Sequence, residues 1–553
     1  MDLSTSVIVA LAALVLYGLK TLLFAGRKQL PLPPGPKPKP IIGNMLDMPK
    51  PGQREWPHWI KHRALYGPVS SVSALGMTFI ICNEPHVAHD LLEKRSAVNS
   101  SRPHLVFGGE LAGWQDLLAS MVYGETFRSY RRNFHNLLGT KKSAARFHPV
   151  LEVEAHRFLL RVLDKPESLL QHIRTEAGAM ILKIVYGYTI EPYGNDPLVD
   201  LADEALTQFS QAYGAGMWLV DLMPFLRYLP EWFPGASFQT KGRLWKQTLH
   251  TLVESPYNWV KTQMKKGTNK PSFVSSLLEN APPSLQMSPE DEFIARWSAA
   301  SIYTGGADTT VSSVASFYLA ISFRPEVQQR AQEEIDRVVG TDRLPTWTDR
   351  EHLPYVEAVF KEALRWHPVI PGVAHASTEE HEYMGYRIPK GAAIYPNIWA
   401  YTHDPDTYSD PMLFKPERFL GEKPDLDPTA YIWGFGRRVC PGRVIADYSI
   451  WLNLVSSLAC FDVRRVPGPG ADSEKASPTG LDASECRPEL FVAGTISHPA
   501  PFDVSVKPRS EKHRELIRRV EVEHPWGEND AKDLREVIIE RRRGAASEKH
   551  AKY

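Results

Sequence analysis

From Ser288 to Arg324 the chain carries one continuous helical pattern, and this feature restricts the fold most. Ser288 is placed to cap a helix N-terminus, Pro289 takes the first helical position, and Glu290 and Asp291 put acids in the first turn. No further proline interrupts the run before Pro325. Globular helices usually run roughly 8–20 residues, so one of more than about thirty must cross an entire large domain. The chain has the material for such a domain: 553 residues, 43% hydrophobic and 23% charged, the balance of a globular protein. Length alone would suggest several domains. Lys+Arg and Asp+Glu are both 64, so net charge gives no reason to expect nucleic acid as a partner.

The N-terminus predicts a membrane anchor. Ser6 to Phe24 is apolar almost throughout, broken near its end by Lys20 and Thr21. As a helix it would span about 28 Å, close to the roughly 30 Å hydrocarbon core of a bilayer. Residues 6–25 are therefore expected to cross the membrane once. Arg27 and Lys28 follow the span and Asp2 precedes it, which places the bulk of the chain in the cytosol. A cleaved signal peptide is the competing reading, but the basic n-region is missing. Residues 26–40 include Leu30-Pro-Leu-Pro-Pro-Gly-Pro-Lys-Pro-Lys-Pro40, a proline-rich linker with few amide donors. Asn99-Ser100-Ser101 matches the glycosylation sequon, and cytosolic placement predicts that it carries no glycan. Cys82, Cys440, Cys460 and Cys486 form no CxxC pair, which suits a reducing compartment.

Residues 41–507 read as one body without internal repeats. Tyr66 to Cys82 predicts a hairpin about Gly76, and strand-like pieces return at Tyr386–Tyr395 and Leu490–Val506. Helical patterns dominate elsewhere, so the expected class is mainly α with small β-sheets. Residues 508–553, including Arg541-Arg542-Arg543, are expected to form a charged, flexible and partly helical tail.

Three constellations carry chemistry. In Trp433-Gly-Phe-Gly-Arg-Arg-Val-Cys-Pro-Gly442, the glycines permit tight turns and close approach to a flat ligand. Pro441 is suited to the first position of a following helix, which sets Cys440 at a helix N-terminus near Arg437, Arg438 and Arg443. Both surroundings favour a thiolate, the form that ligates metal. Gly305-Gly306-Ala307-Asp308-Thr309 interrupts the long helix with two glycines, each costing roughly 1 kcal/mol against alanine. A groove for a small ligand, served by the acid Asp308 and the hydroxyl Thr309, would justify them; a kink with an incidental polar pair is the alternative. Glu362 and Arg365 share one helix face, an arrangement common on solvated surfaces.

Taken together these segments resemble the cytochrome P-450 superfamily. The family's haem loop reads Phe-x-x-Gly-x-Arg-x-Cys-x-Gly, and Trp433 stands here at the Phe position. The second segment matches the family's oxygen-activation motif, (Ala/Gly)-Gly-x-(Asp/Glu)-Thr, at every position. Pro368 to Ser377 and Asn397 to Asp404 look most similar to fungal secondary-metabolism members of the O-methylsterigmatocystin oxidoreductase type. The resemblance implies a single large cytochrome P-450 fold, overriding the length argument. It implies haem b with Cys440 as axial thiolate, Trp433 and Gly436 in the haem loop, and Arg438, Arg131 and His375 at the propionates. Phe127 stands where the family commonly has Trp, which removes one indole donor. Asp308 and Thr309 are implied as the proton-handling pair. Glu362, Arg365 and Arg418, the last from Pro416-Glu417-Arg418-Phe419, are implied as a buried structural group.

The implied activity is a monooxygenase acting on a small lipophilic substrate. Electrons would come from NADPH through a membrane-bound reductase, at the endoplasmic reticulum, in a monomer facing the cytosol. Arg128, Arg132, Arg437 and Arg443 are candidate docking charges for that reductase. Family position brings Trp114, Phe209, Tyr213, Met217, Trp218 and Ile370 to the substrate, an apolar set that core packing would explain equally well. A thiolate-haem isomerase or dehydratase would not need the Asp308-Thr309 pair. A non-enzymatic haem-binding sensor would need neither reductase nor substrate cavity.

Overall fold

A computed structural model describes residues 30–214, 216–279, 287–466 and 486–539. The predicted anchor lies outside these residues. Among the described residues, no helix is long and apolar enough to cross a membrane.

The longer helices are α1 (Glu55–Tyr66), α2 (Glu125–Leu138), α3 (His148–Asp164), α4 (Leu169–Tyr186), α5 (Pro197–Ala212) and α6 (Ser237–Lys266). They continue with α7 (Pro289–Ser322), α8 (Pro325–Val338), α9 (Pro354–Trp366), α10 (Arg443–Cys460) and α11 (Glu511–Glu523). Helix α7 has 34 residues and begins as the pattern requires: the Asp291 amide donates to Ser288 Oγ at 3.0 Å. From Ala295 onward most of its residues are buried, on all sides, because α4, α10, α6, α2 and α5 surround it. This helix is the axis of the molecule, and its closest neighbour is α4.

Strands are few. β1 (Val69–Ala74) and β2 (Met77–Cys82) form the predicted hairpin, with Leu75 and Gly76 at φ +48° and +89° in its two-residue turn. β3 (His375–Ala376) and β6 (Ala393–Pro396) complete a four-stranded sheet of order β1-β2-β6-β3, in which β2 and β6 run parallel. Between them β4 (His381–Tyr383) and β5 (Tyr386–Ile388) make a separate hairpin. β7 (Phe461–Arg465) pairs with β8 (Val504–Pro508).

Both ends of the described chain are fastened to this body. Ser71 of β1 donates its hydroxyl to the Pro33 carbonyl at 2.6 Å and its amide to Pro34 at 2.8 Å, so the proline run lies along the sheet. Residues 511–539 depart from the flexible tail expected. Leu516, Ile517 and Val520 of α11 are buried, as are Leu534 and Ile538. Trp526 lies under Arg157 and Arg161 of α3, 4.3 and 4.8 Å from ring to guanidinium. Charge composition suggested solvation, but these spaced apolar residues make one face of the segment insoluble. Asn99 is also fully enclosed: its amide donates to Leu91 and its carbonyl contacts His381. A glycan cannot be carried there in the folded protein, whatever the membrane orientation.

Candidate functional site

Cys440 ends a loop that depends on glycine. Gly434 and Gly436 have φ of +77° and +52°, in the region side chains avoid. A Cβ on Gly436 would collide with the Leu92 carbonyl, because Phe435 is buried in the same cluster as Leu91 and Leu92 and draws the loop against them. The loop closes where the Cys440 amide donates to the Trp433 carbonyl at 2.8 Å. Helix α10 starts at Arg443 with Gly442 as its N-cap, so Pro441 precedes the helix instead of opening it. The amides of Gly442 and Arg443 still reach the sulfur. Burial pushes the Cys440 thiol up; these amides and the charges of Arg131 and Arg443 oppose the rise without cancelling it. The thiolate expected from the helix terminus and arginines is therefore incomplete without a cation at the sulfur.

The sulfur lines a cavity of about 880 Å³, and Trp433, Gly434 and Gly442 share that wall. Three guanidinium groups stand beside them. Arg438 donates to the carbonyls of Ser100, Leu118 and Met121 at 2.7, 2.9 and 2.6 Å. Its face rests on the Phe127 ring, 4.1 Å away, so Phe127 supports the arginine where it lacks an indole donor. Arg131 donates to the Val439 carbonyl at 2.7 Å, and Arg102 to those of Ala119 and Ala374, both at 2.8 Å. No carboxylate among the described residues offsets the three. Burial, with Arg102 and Arg131 close by, pulls Arg438 down to about 8. A guanidinium keeps its proton in proteins, so this strain persists until an anion approaches. His375 of β3 lines the same wall, its Nδ1 3.0 Å from the Asn99 carbonyl, and burial holds its ring well below the usual range, hence neutral.

Helix α7 supplies another wall. Gly305 and Gly442 would each place a Cβ in space that no protein atom fills. An iron porphyrin fits what is present: a buried sulfur beside two arginine charges, three arginines that no described carboxylate offsets, and two glycines whose surfaces face open space. Gly306 serves a different purpose from Gly305, because a Cβ there would press on Ile181 of α4 at 3.0 Å. Thr309 lines the cavity and donates its hydroxyl to the Gly305 carbonyl at 2.6 Å. Asp308 was expected to share that groove, and it does not. One residue along a helix turns a side chain by about 100°, and Asp308 faces a second cavity of about 300 Å³. There its Oδ1 meets His498 Nε2 at 3.0 Å.

Away from both cavities, the Glu362 carboxylate is enclosed by two arginines. Arg365 binds it with Nε and Nη2 at 2.7 and 2.8 Å, and Arg418 Nε approaches at 3.1 Å. All three side chains are buried, and the remaining arginine donors reach carbonyls of Thr402, Ser409 and Pro411. This is the geometry of a framework pair, not of a solvated face.

Of the residues expected at the substrate, Phe209, Tyr213, Met217, Trp218 and Ile370 line the large cavity. Trp114 does not; it packs behind the wall, edge-on to Phe209 at 4.9 Å. Sequence reasoning missed one participant, Arg102, which lies in no recognisable motif, and the pairing of His498 with Asp308 exists only in three dimensions.

A model of the cytochrome P-450 family matches residues 33–481. The chain is 47% identical over 514 residues to cytochrome P-450 monooxygenase ppsD of Aspergillus oryzae, covering 92% of this chain and 94% of that protein. It is 42% identical over 539 residues to cytochrome P-450 monooxygenase CLM2 of Gibberella zeae, covering 96% and 99%. Against O-methylsterigmatocystin oxidoreductase of Aspergillus flavus, identity is 42% over 534 residues, covering 96% and 98%. With the site geometry and these matches in agreement, the chain belongs to the cytochrome P-450 family and is a monooxygenase-type enzyme.

Proposed function

We propose that this enzyme uses haem b to insert one oxygen atom of O₂ into a C–H bond of a small lipophilic substrate, in fungal secondary metabolism. Electrons come from NADPH through a membrane-bound reductase. The observation that carries the reading is the single cavity joining the Cys440 sulfur, three arginines that no carboxylate among the described residues offsets, and the bare Gly305 surface. Cys440 would ligate the iron, while Arg102, Arg131, Arg438 and His375 would hold the propionates. When bound, the haem supplies the iron at which O₂ is activated. Thr309 keeps its hydroxyl hydrogen on Gly305, leaving its oxygen free to accept a proton donor's hydrogen bond at the groove. Asp308 is the acid one residue away. Glu362, Arg365 and Arg418 keep the region behind the loop rigid.

The substrate end is apolar, lined by Leu117, Phe209, Met217, Trp218 and Ile370. Leu46 and Leu219 line the cavity and are also exposed, and Phe225 and Trp232 are exposed on the segment that follows. An apolar mouth of this kind suits entry from lipid, in keeping with a single-pass anchor in the endoplasmic reticulum and a cytosolic catalytic domain. Arg128, Arg132, Arg437 and Arg443 are exposed and suit an acidic reductase surface, although Arg128 and Arg132 share Glu125.

The reduced carbon-monoxide spectrum of the full chain tests the ligand: the thiolate-type Soret shift is expected, and its absence removes the reading. Substrate-dependent consumption of NADPH and O₂ with purified reductase then separates oxygenation from isomerisation and sensing. One relative's name specifies O-methylsterigmatocystin. That compound belongs first in a screen of polyketides, terpenoids and aromatics for spin-state shifts.

A further inference from the structure

Adjacent residues of α7 divide between two cavities: Thr309 lines the large one and Asp308 the small one. The walls differ in character. The large cavity is mostly hydrocarbon where substrate would lie, whereas the small one includes Arg174, Asp203, Thr207, Ser210 and Gln211. Asp203, Thr207 and Gln211 are exposed, so this end opens to water. At the other end His498 Nε2 sits 3.0 Å from Asp308 Oδ1, with His498 itself partly exposed and Asp308 nearly enclosed.

Monooxygenation converts substrate, O₂, two electrons and two protons into hydroxylated product and water. Two protons must therefore reach the groove in each turnover, and an apolar cavity filled by substrate offers them no path. We propose that the small cavity is the proton inlet of this enzyme, and that His498 is a positioning residue holding Asp308 at its inner end. His498 touches neither substrate nor cofactor. It anchors the carboxylate on the water side of α7, and release of the contact lets Asp308 turn toward Thr309, its neighbour in the chain. The proposal rests on the monooxygenase reading above.

The test uses the full-length, haem-loaded enzyme without substrate. The C–O stretch of the reduced carbon-monoxide complex, read without turnover, reports the polarity of the groove. His498→Ala should shift that stretch, because Asp308 is released toward it. His498→Gln, whose amide can still donate to Asp308, should not. In an Asp308→Ala background, His498→Ala should add nothing. The inlet is tested separately by Ser210→Phe, which fills the small cavity and leaves the dyad alone. It should leave the C–O stretch unchanged and raise the H₂O/D₂O isotope effect on reductase-driven O₂ uptake by about twofold or more.

If His498→Ala shifts the stretch equally with and without Asp308, His498 does not act through that residue. If Ser210→Phe leaves the isotope effect at the wild-type value, the small cavity is not the inlet. Either result overturns the proposal while a normal thiolate-type spectrum upholds the monooxygenase reading. Loss of that spectrum in the wild type sinks the reading itself.

Discussion

Three glycines in the Cys440 loop should respond to alanine in three different ways. Gly434 has φ +77° but its added Cβ meets nothing closer than the Arg438 carbonyl at 3.7 Å. Gly434→Ala should cost only the left-handed penalty, about 1–2 kcal/mol. Gly436 carries the same penalty, and its Cβ also collides with the Leu92 carbonyl and lies 3.2 Å from Glu93 Cα. The obstruction is backbone, so the loop must move, and overpacking adds about 1–3 kcal/mol. Gly436→Ala should therefore lose about 2–5 kcal/mol. Gly442 has φ −88° and no protein atom within 4 Å of its Cβ. Gly442→Ala should leave the haem-free protein within about 1 kcal/mol of wild type, because the entropy lost by the unfolded chain and alanine's poorer capping of α10 oppose each other. Its methyl projects into the cavity, so the loss should appear only in haem retention. Urea unfolding of haem-free and haem-loaded protein, with haem occupancy per chain, separates the three. The reasoning fails if haem-free Gly442→Ala unfolds before Gly434→Ala, or if Gly436→Ala stays within about 1 kcal/mol of wild type.

Glu362→Gln should cost about 3–5 kcal/mol in urea unfolding, since Arg365 and Arg418 are left buried without their anion; a loss no larger than a surface pair's would contradict the framework role. Trp526→Ala should cost about 2 kcal/mol through two lost cation–π contacts, and trypsin should then cut residues 511–539 before the body unfolds. Burial pushes Glu176 up to about 7, so the unfolded chain loses this proton first and stability falls as pH rises from about 4.5 to 7. Glu176→Gln, which can still accept from Asn453, should therefore gain up to about 3 kcal/mol at pH 8 and almost nothing at pH 4. An equal gain at both values would show that desolvation is not the cause.

What could be read without coordinates was local. The α7 boundaries follow from Ser288, Pro289 and Pro325, whose capping and chain-breaking effects act within a turn. The β1–β2 hairpin follows from Gly76 for the same reason. Cys440 and Arg438 line one cavity because the left-handed glycines between Trp433 and Cys440 bring the loop back on itself. Non-local features were hidden. Asp308 and Thr309 look like one functional pair in a line of text, yet helical rotation sends them to separate cavities. His498 meets Asp308 at 3.0 Å only because the fold returns a distant segment to α7. The tail misled because its charge was conspicuous while the spacing of Leu516, Val520, Leu534 and Ile538 was not.

The docking of residues 511–539 also bears on what keeps water from the interior. Arg518 reaches back to Asp164 at 2.6 Å, and Arg157 donates to the Pro525 carbonyl at 2.8 Å. Against the Trp526 ring, Arg157 pairs with Glu154 of α3, and Glu176 on α4 accepts from Asn453 on α10, the helix that leads out of the Cys440 loop. Without residues 511–539 this wall of α3 would have no cover, and its buried arginines would face water. Residues 511–539 therefore act as a plug over paired charges: they keep water from the Arg157–Glu154 pair on α3, next to the α4–α10 contact that backs the helix leading out of the Cys440 loop.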